Sequence, residues 1–272
     1  MRRARAVAIS TAMPIARRAA TLVLALAATA ARGEIVTKTV EYRHGDTVLE
    51  GYLAYDSAGP AKKPGVLVFH QWKGLTAYER KRAEQLAALG YVAFAADVYG
   101  KGVRPADPKA AGAEAGKYRG DRALLRGRAQ AALAALRQQP NVDREKVAAI
   151  GYCFGGMAVL ELARSGAPLA AVGSFHGLLT TRERARPGEI AARIFASTGA
   201  LDPLVPPADI ATFQAEMTAA GADWLLLVHG RAMHSFTNRD VDGLGDPRMR
   251  YDAAADRQSW GALLGFLDET LA

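Results

Sequence analysis

The segment Gly151-Tyr152-Cys153-Phe154-Gly155-Gly156 sets the only cysteine of the chain inside a glycine-bounded turn. The apolar run Val147-Ala148-Ala149-Ile150 precedes it, and Met157-Ala158-Val159-Leu160-Glu161-Leu162-Ala163 follows. A buried strand, a tight turn and a helix present a nucleophile at the helix N-terminus. Backbone N–H groups there favour negative charge, so the position favours thiolate over thiol. Taken by itself, a lone cysteine is most often a small core residue. The glycine frame points instead to nucleophilic catalysis.

Such a nucleophile needs a base, and the base needs an orienting acid. In this strand-turn-helix architecture the chain order is nucleophile, acid, histidine. Three histidines lie downstream: His176, His229 and His234. His234 sits in the loop Gly230-Arg231-Ala232-Met233-His234-Ser235-Phe236, past the last strand and before the C-terminal helix, where the base belongs. His229 reads as a strand-end residue, and His176 as a cleft-edge or structural one. Asp202, in Thr198-Gly199-Ala200-Leu201-Asp202-Pro203, follows a strand and is stiffened by Pro203 and Pro206. It is the candidate acid, with helix N-cap as the bland alternative. The oxyanion donors expected are the N–H of Phe154 and one from the loop His70-Gln71-Trp72-Lys73-Gly74, with Trp72 ahead of Gln71.

These motifs resemble those of the dienelactone hydrolase family of α/β-hydrolases. The residues that carry the likeness are Gly151 to Gly156, Ala96-Asp97-Val98-Tyr99-Gly100, Asp202-Pro203 and His234-Ser235-Phe236. The resemblance implies hydrolysis of esters or lactones by a Cys153, His234, Asp202 triad. It also offers Gln71, Tyr99, His176, Ser235 and Phe236 as substrate-contact candidates. Two positions depart from the family pattern. Gln71 stands where the dienelactone enzyme has a glutamate beside the resting cysteine. Asn238, with Arg239 next to it, stands where that enzyme has a carboxylate-binding arginine. Arg119 and Arg122 are the other cationic candidates.

The elements that must position these residues are legible in the pattern of apolar runs. Thr37–Tyr42 and Val48–Tyr55 read as a hairpin around His44-Gly45-Asp46. Val66–Phe69, Tyr91–Ala96, Val147–Ile150, Leu169–Ser174, Ile194–Ser197 and Trp224–Val228 read as strands. Helices fall between them: one opened by Thr76 with Glu79 as a capping box, a long Ala-rich segment Ala110–Gln138 split near Arg119-Gly120-Asp121, then Met157–Arg164, Pro207–Ala220 and Ala253–Leu271. This alternation predicts an α/β fold, a doubly wound, mainly parallel sheet with an N-terminal antiparallel hairpin. Residues 34–272 are expected to form one domain.

The chain has 272 residues and a formal net charge of +8. That charge suggests a nucleic-acid partner until its source is located. Residues 1–33 hold six Arg and no acid; without them 29 basic residues face 27 acidic ones. Arg17-Arg18 precede the apolar run Ala19–Ala28 and the small residues Ala28-Thr29-Ala30. This reads as a signal peptide cleaved near Ala30, with Met13 as an alternative start. A twin-arginine signal and an uncleaved amphipathic arm are the alternatives. The expected location is periplasmic or secreted, with no stable membrane insertion after cleavage. The expected partner is a small-molecule ester or lactone, met by a monomer that binds no nucleic acid. One cysteine makes neither an internal disulfide nor a Cys-rich metal site, and the expected chemistry uses no metal or organic cofactor. The rival functions are thioester or peptide hydrolysis at the same site, and ligand binding or thiol sensing without catalysis.

Overall fold

The computed structural model describes residues 33–272; the stretch read as an export signal lies outside the described residues. The first two strands, β1 (Ile35–His44) and β2 (Thr47–Asp56), form the expected antiparallel hairpin, in register from Ile35 opposite Asp56 to His44 opposite Thr47. Gly45 makes the turn with φ 57°, a left-handed backbone that suits glycine. β2 then pairs antiparallel with β4 (Val92–Ala96). From β4 onward the sheet is parallel, through β3 (Lys63–Phe69), β5 (Val142–Tyr152), β6 (Ala171–Phe175), β7 (Arg193–Gly199) and β8 (Trp224–His229). The spatial order of the eight strands is β1-β2-β4-β3-β5-β6-β7-β8.

The continuous apolar runs are central strands covered on both faces. Alternate residues of β3 enter opposite cores. Leu67 and Phe69 join one face with Leu125, Leu133, Met157, Phe213 and Met217. Val66 and Val68 join the other with Leu86, Leu263, Phe266 and Leu267. Helices α3 (Arg122–Arg137), α4 (Phe154–Arg164) and α5 (Pro207–Ala219) therefore cover the first face. Helices α1 (Ala77–Ala87) and α6 (Ala253–Leu271) cover the second. Each fully buried Leu or Phe contributes about 1.5–3 kcal/mol, so the two faces together hold the sheet rigid beneath its loops.

The capping box at Thr76 and Glu79 forms as expected and starts α1. The long Ala-rich segment does break in two. Helix α2 (Pro108–Gly120) ends at Asp121, whose carboxylate accepts the Leu124 N–H at 2.8 Å and starts α3. A short 3-10 turn, Arg239–Leu244, precedes α6 and has no counterpart in the apolar pattern. Among the described residues no helix is long and apolar enough to cross a membrane.

Candidate active site

Cys153 lies between β5 and α4 with φ 55° and ψ −110°. A non-glycine residue at such angles is strained and persists only where its surroundings hold it. Its N–H donates to the Phe175 carbonyl at 2.9 Å, and its carbonyl accepts from the Met157 N–H at 3.3 Å. The flanking glycines are required by close backbone approach. A β-carbon at Gly151 would stand 2.1 Å from the Gly155 carbonyl oxygen, and one at Gly155 would stand 2.3 Å from that of Phe69. The turn is thus pressed between β3 and its own helix, and the sulfur is left facing outward over the sheet edge.

The loops after β7 and β8 bring the two expected partners to that sulfur. His234 Nε2 lies 3.0 Å from Cys153 Sγ, and His234 Nδ1 lies 2.8 Å from Asp202 Oδ2. All three residues are buried. Asp202 Oδ1 accepts the Leu204 N–H at 2.8 Å, which fixes the carboxylate within its loop. The His234 backbone is held by the chain that follows it. Its N–H donates to the Arg248 carbonyl at 3.3 Å and its carbonyl accepts from the Arg250 N–H at 3.2 Å. His229, by contrast, bonds Ser197 Oγ through Nε2 at 2.9 Å, away from the sulfur.

Burial by itself would push the Cys153 thiol up. The positive His234 ring and its hydrogen bond, with help from Arg119 and the Phe154 N–H, outweigh burial and bring the thiol below its ordinary value. Burial would likewise push His234 down, yet the Cys153 thiolate and the Asp202 carboxylate raise it to about 10. The two shifts are one fact seen from each partner: the pair favours thiolate and imidazolium.

The loop after β3 is fixed by a set of buried hydrogen bonds. The Gln71 N–H donates to the buried Glu79 carboxylate at 3.1 Å, so it is already engaged. The His70 ring donates from Nδ1 to the Gln71 carbonyl at 2.6 Å and accepts at Nε2 from the Val98 N–H at 3.1 Å. Tyr99 donates its hydroxyl to the Trp72 carbonyl at 3.0 Å. These bonds orient the Trp72 peptide, and Trp72 lines the cavity that opens above Cys153. Trp72 and Phe154 thus line the same cavity as Cys153.

The cavity measures about 480 Å³ and is lined mainly by apolar atoms of Trp72, Met157, Leu178, Leu204 and Met249. Lys109, Arg119, Asp246 and Arg248 bring charge to it. Arg248 grips Asp246 through two bonds of 2.9 and 2.6 Å, which hold the Asp246 carboxyl down at about 2. Of the arginines considered from sequence, Arg119 reaches the cavity. Arg122 turns to Glu161, 3.9 Å away, and to the Met157 sulfur. Arg239 lies over the Tyr251 ring at 4.8 Å, and the Asn238 side chain caps the 3-10 turn through the Asp240 N–H at 3.0 Å.

The five residues expected at the substrate are not among those that line this cavity. Gln71 faces a separate depression that it shares with Asn238. Tyr99 is packed against His70, Phe154 and Tyr118. His176, Ser235 and Phe236 are wholly buried. Lys109, Asp246, Arg248 and Met249 carry no local motif. Asp246, Arg248 and Met249 reach the cavity because the chain folds back to bridge Met249 with His234, whereas Lys109 comes from the first turn of α2.

The sequence and fold have known relatives. The model of the dienelactone hydrolase family matches residues 49–271. The chain belongs to the dienelactone hydrolase family. It is 40% identical to the crystal structure of a dienelactone hydrolase-like promiscuous phosphotriesterase from metagenomic libraries, over 88% of this chain and all of that one, with a TM-score of 0.84. It is 40% identical over 151 residues to an uncharacterized protein of Caenorhabditis elegans, 54% of this chain and 95% of that protein. It is 27% identical over 217 residues to a "Probable 2-oxo-3-(5-oxofuran-2-ylidene)propanoate lactonase" of a Bradyrhizobium species, 75% of this chain and 83% of that protein. The chain is a dienelactone hydrolase-like hydrolase with the α/β-hydrolase fold.

Proposed function

We propose that the protein hydrolyses a carboxylic ester or lactone by transferring the acyl group to Cys153. The observation that carries this reading is the unbroken line Asp202–His234–Cys153, at 2.8 and 3.0 Å, ending beneath an apolar cavity. The Cys153 thiolate attacks the carbonyl carbon, and the π pair moves to oxygen. The N–H groups of Phe154 and Trp72 receive that oxyanion; such donors supply about 3–4 kcal/mol each. The intermediate collapses, the carbon–oxygen bond breaks, and His234 Nε2 gives its proton to the leaving alkoxide. His234 then takes a proton from water, hydroxide attacks the thioester, and the thiolate leaves.

The sulfur favours one substrate class over another. A tetrahedral adduct of an amide expels thiolate in preference to amine, whereas an ester adduct releases its alkoxide readily. Esters and lactones are therefore favoured over peptides, and the lactonase relative agrees with this choice. A second reading is favoured by the relative described as a promiscuous phosphotriesterase. There the same thiolate would attack phosphorus and one phosphorus–oxygen bond would break, with the departing alkoxide or aryloxide taking its proton from His234 Nε2; water would then release the diester phosphoryl group from the Cys153 sulfur.

One screen tests both readings. p-Nitrophenyl esters, lactones, thioesters, amides and phosphotriesters are incubated with the wild-type protein and with Cys153→Ala, and Cys153 is examined by mass spectrometry. The proposal expects ester or lactone turnover, an acyl adduct on Cys153, and loss of both in the variant. Unimpaired ester turnover by Cys153→Ala overturns it. We also propose that the protein acts after export, on the strength of the basic and apolar pattern of residues 1–33. N-terminal sequencing of the protein recovered from its native compartment checks this; a start well before Ala30 overturns it.

A further inference from the structure

Behind the sulfur lies a second connection between the two loops. His176 follows β6 with φ 40° and is fully buried. Its Nδ1 is 3.1 Å from the Cys153 backbone nitrogen. A backbone N–H can only donate, so Nδ1 is the acceptor and the ring proton sits on Nε2. That Nε2–H donates to Thr237 Oγ1 at 2.8 Å. Thr237 lies three residues beyond His234 on the same loop. It is anchored in turn: its Oγ1 is 2.7 Å from the Tyr78 hydroxyl, and the Arg82 guanidinium donates to its carbonyl at 3.2 Å. Arg82 also donates to the Tyr78 hydroxyl at 3.2 Å and to Asp256 at 2.6 Å. One run of bonds thus joins the main chain of Cys153 to the loop of His234, and both to α1 and α6.

We propose that His176 is a positioning residue that sets the distance between the Cys153 sulfur and the His234 ring. This rests on the reading of Cys153 as nucleophile and His234 as its base. The loops of Cys153 and His234 leave different strands, and the contact between sulfur and imidazole is one tie between them. His176 supplies a second tie, made to the main chain of one loop and the side chain of the other. The strained elbow has need of it, because the Cys153 N–H is shared between the Phe175 carbonyl and His176. The ring is suited to the task only while neutral. It stands edge-on to His234, with centroids 5.4 Å apart, so a second cation would repel the imidazolium. Burial first, and then the His234 charge and Arg82, keep His176 well below the ordinary histidine range. The charged and titratable groups around the sulfur are His234, Arg119 and Tyr99; His176 bears on it through geometry alone.

The experiment measures the rate of Cys153 alkylation by iodoacetamide against pH in the full chain, with p-nitrophenyl acetate turnover in parallel. His176→Phe keeps a ring and removes both bonds. His176→Asn places an acceptor oxygen near the Nδ1 position and tolerates the left-handed backbone. Thr237→Val cuts the far anchor. His176→Phe is expected to move the alkylation midpoint up by about one pH unit and to slow turnover roughly 10- to 100-fold. His176→Asn should recover most of the shift, and Thr237→Val should move the midpoint the same way by less. An unchanged profile in folded His176→Phe overturns the proposal, as does a His176→Asn profile indistinguishable from it. Where His176→Phe does not fold, an unmoved Thr237→Val profile overturns it instead. Alkylation needs no ester chemistry. Persistent ester turnover in Cys153→Ala would therefore sink the nucleophile reading, while the alkylation profile still judges His176.

Discussion

Cys153 and His234 are held 3.0 Å apart in a buried setting where each determines the charge of the other. His234 has a raised folded value, about 10 against an ordinary 6.5. Its contribution to stability is full below about 6.5 and is lost as pH rises through about 10. Cys153 has a depressed folded value against an ordinary 9.0. Its contribution is present above 9.0 and is lost as pH falls through the lowered value. The thiolate–imidazolium pair is therefore the prevailing form between the lowered thiol value and about 10.

The first prediction follows from removing the cation. In His234→Ala, burial acts on Cys153 without its counterweight, so the thiol should titrate above its ordinary range. Wild-type Cys153 should react with iodoacetamide well below pH 9 and the variant should not. Equal profiles for the two proteins would show that the imidazolium does not hold the thiolate.

Asp202 gives the second. Its Oδ2 accepts from His234 Nδ1 and leaves Nε2 to serve the sulfur. Asp202→Asn presents an amide that can donate to Nδ1 and so favours the wrong tautomer. The expected loss in kcat is about 10³- to 10⁴-fold, with little change in the far-UV circular dichroism. Stopped-flow and steady-state assays with a p-nitrophenyl ester check it, and a loss below tenfold contradicts the assignment.

The sheet and the candidate triad were readable because both depend on local signals. Val66–Phe69 and Val147–Ile150 are continuous apolar runs, and Cys153 is framed by glycines that the structure shows to be sterically necessary. Thr76 with Glu79 announced a helix start by side-chain chemistry alone. The cavity walls were not readable. Asp246, Arg248 and Met249 reach the site through the bridge between His234 and Met249, across a segment that holds the 3-10 turn, and no periodicity encodes such a return. The same holds for His176: its neighbours in sequence are a strand and a glycine, whereas its partners are Cys153 and Thr237.

Cavity charge supports a third prediction. Arg248 is committed to Asp246, so Lys109 and Arg119 are the cations left to a substrate among the described lining residues. Arg119→Ala should raise KM for an ester bearing a carboxylate about 5- to 10-fold and leave KM for a neutral ester of similar size nearly unchanged. Equal effects on both substrates would mean that Arg119 acts through packing and not through charge.

The fourth concerns the contact that joins the elbow to the end of β3 and the loop that follows it. A β-carbon at Gly155 would stand 2.3 Å from the Phe69 carbonyl oxygen and 2.8 Å from that of His70. Both obstacles are backbone, so relief requires α4 to move away from the end of β3. That movement separates the Phe154 and Trp72 amides, which the proposed mechanism needs on one oxygen. Gly155→Ala is therefore expected to destabilise by about 1–3 kcal/mol, a fall in Tm of about 2–4 °C per kcal/mol for a domain of this size. It should also lower kcat at temperatures where the variant is fully folded. Thermal melting and ester kinetics on the same preparation separate the two effects. A lower Tm with unchanged kcat would mean that the clash is absorbed within α4, and that the amides keep their places without this close packing.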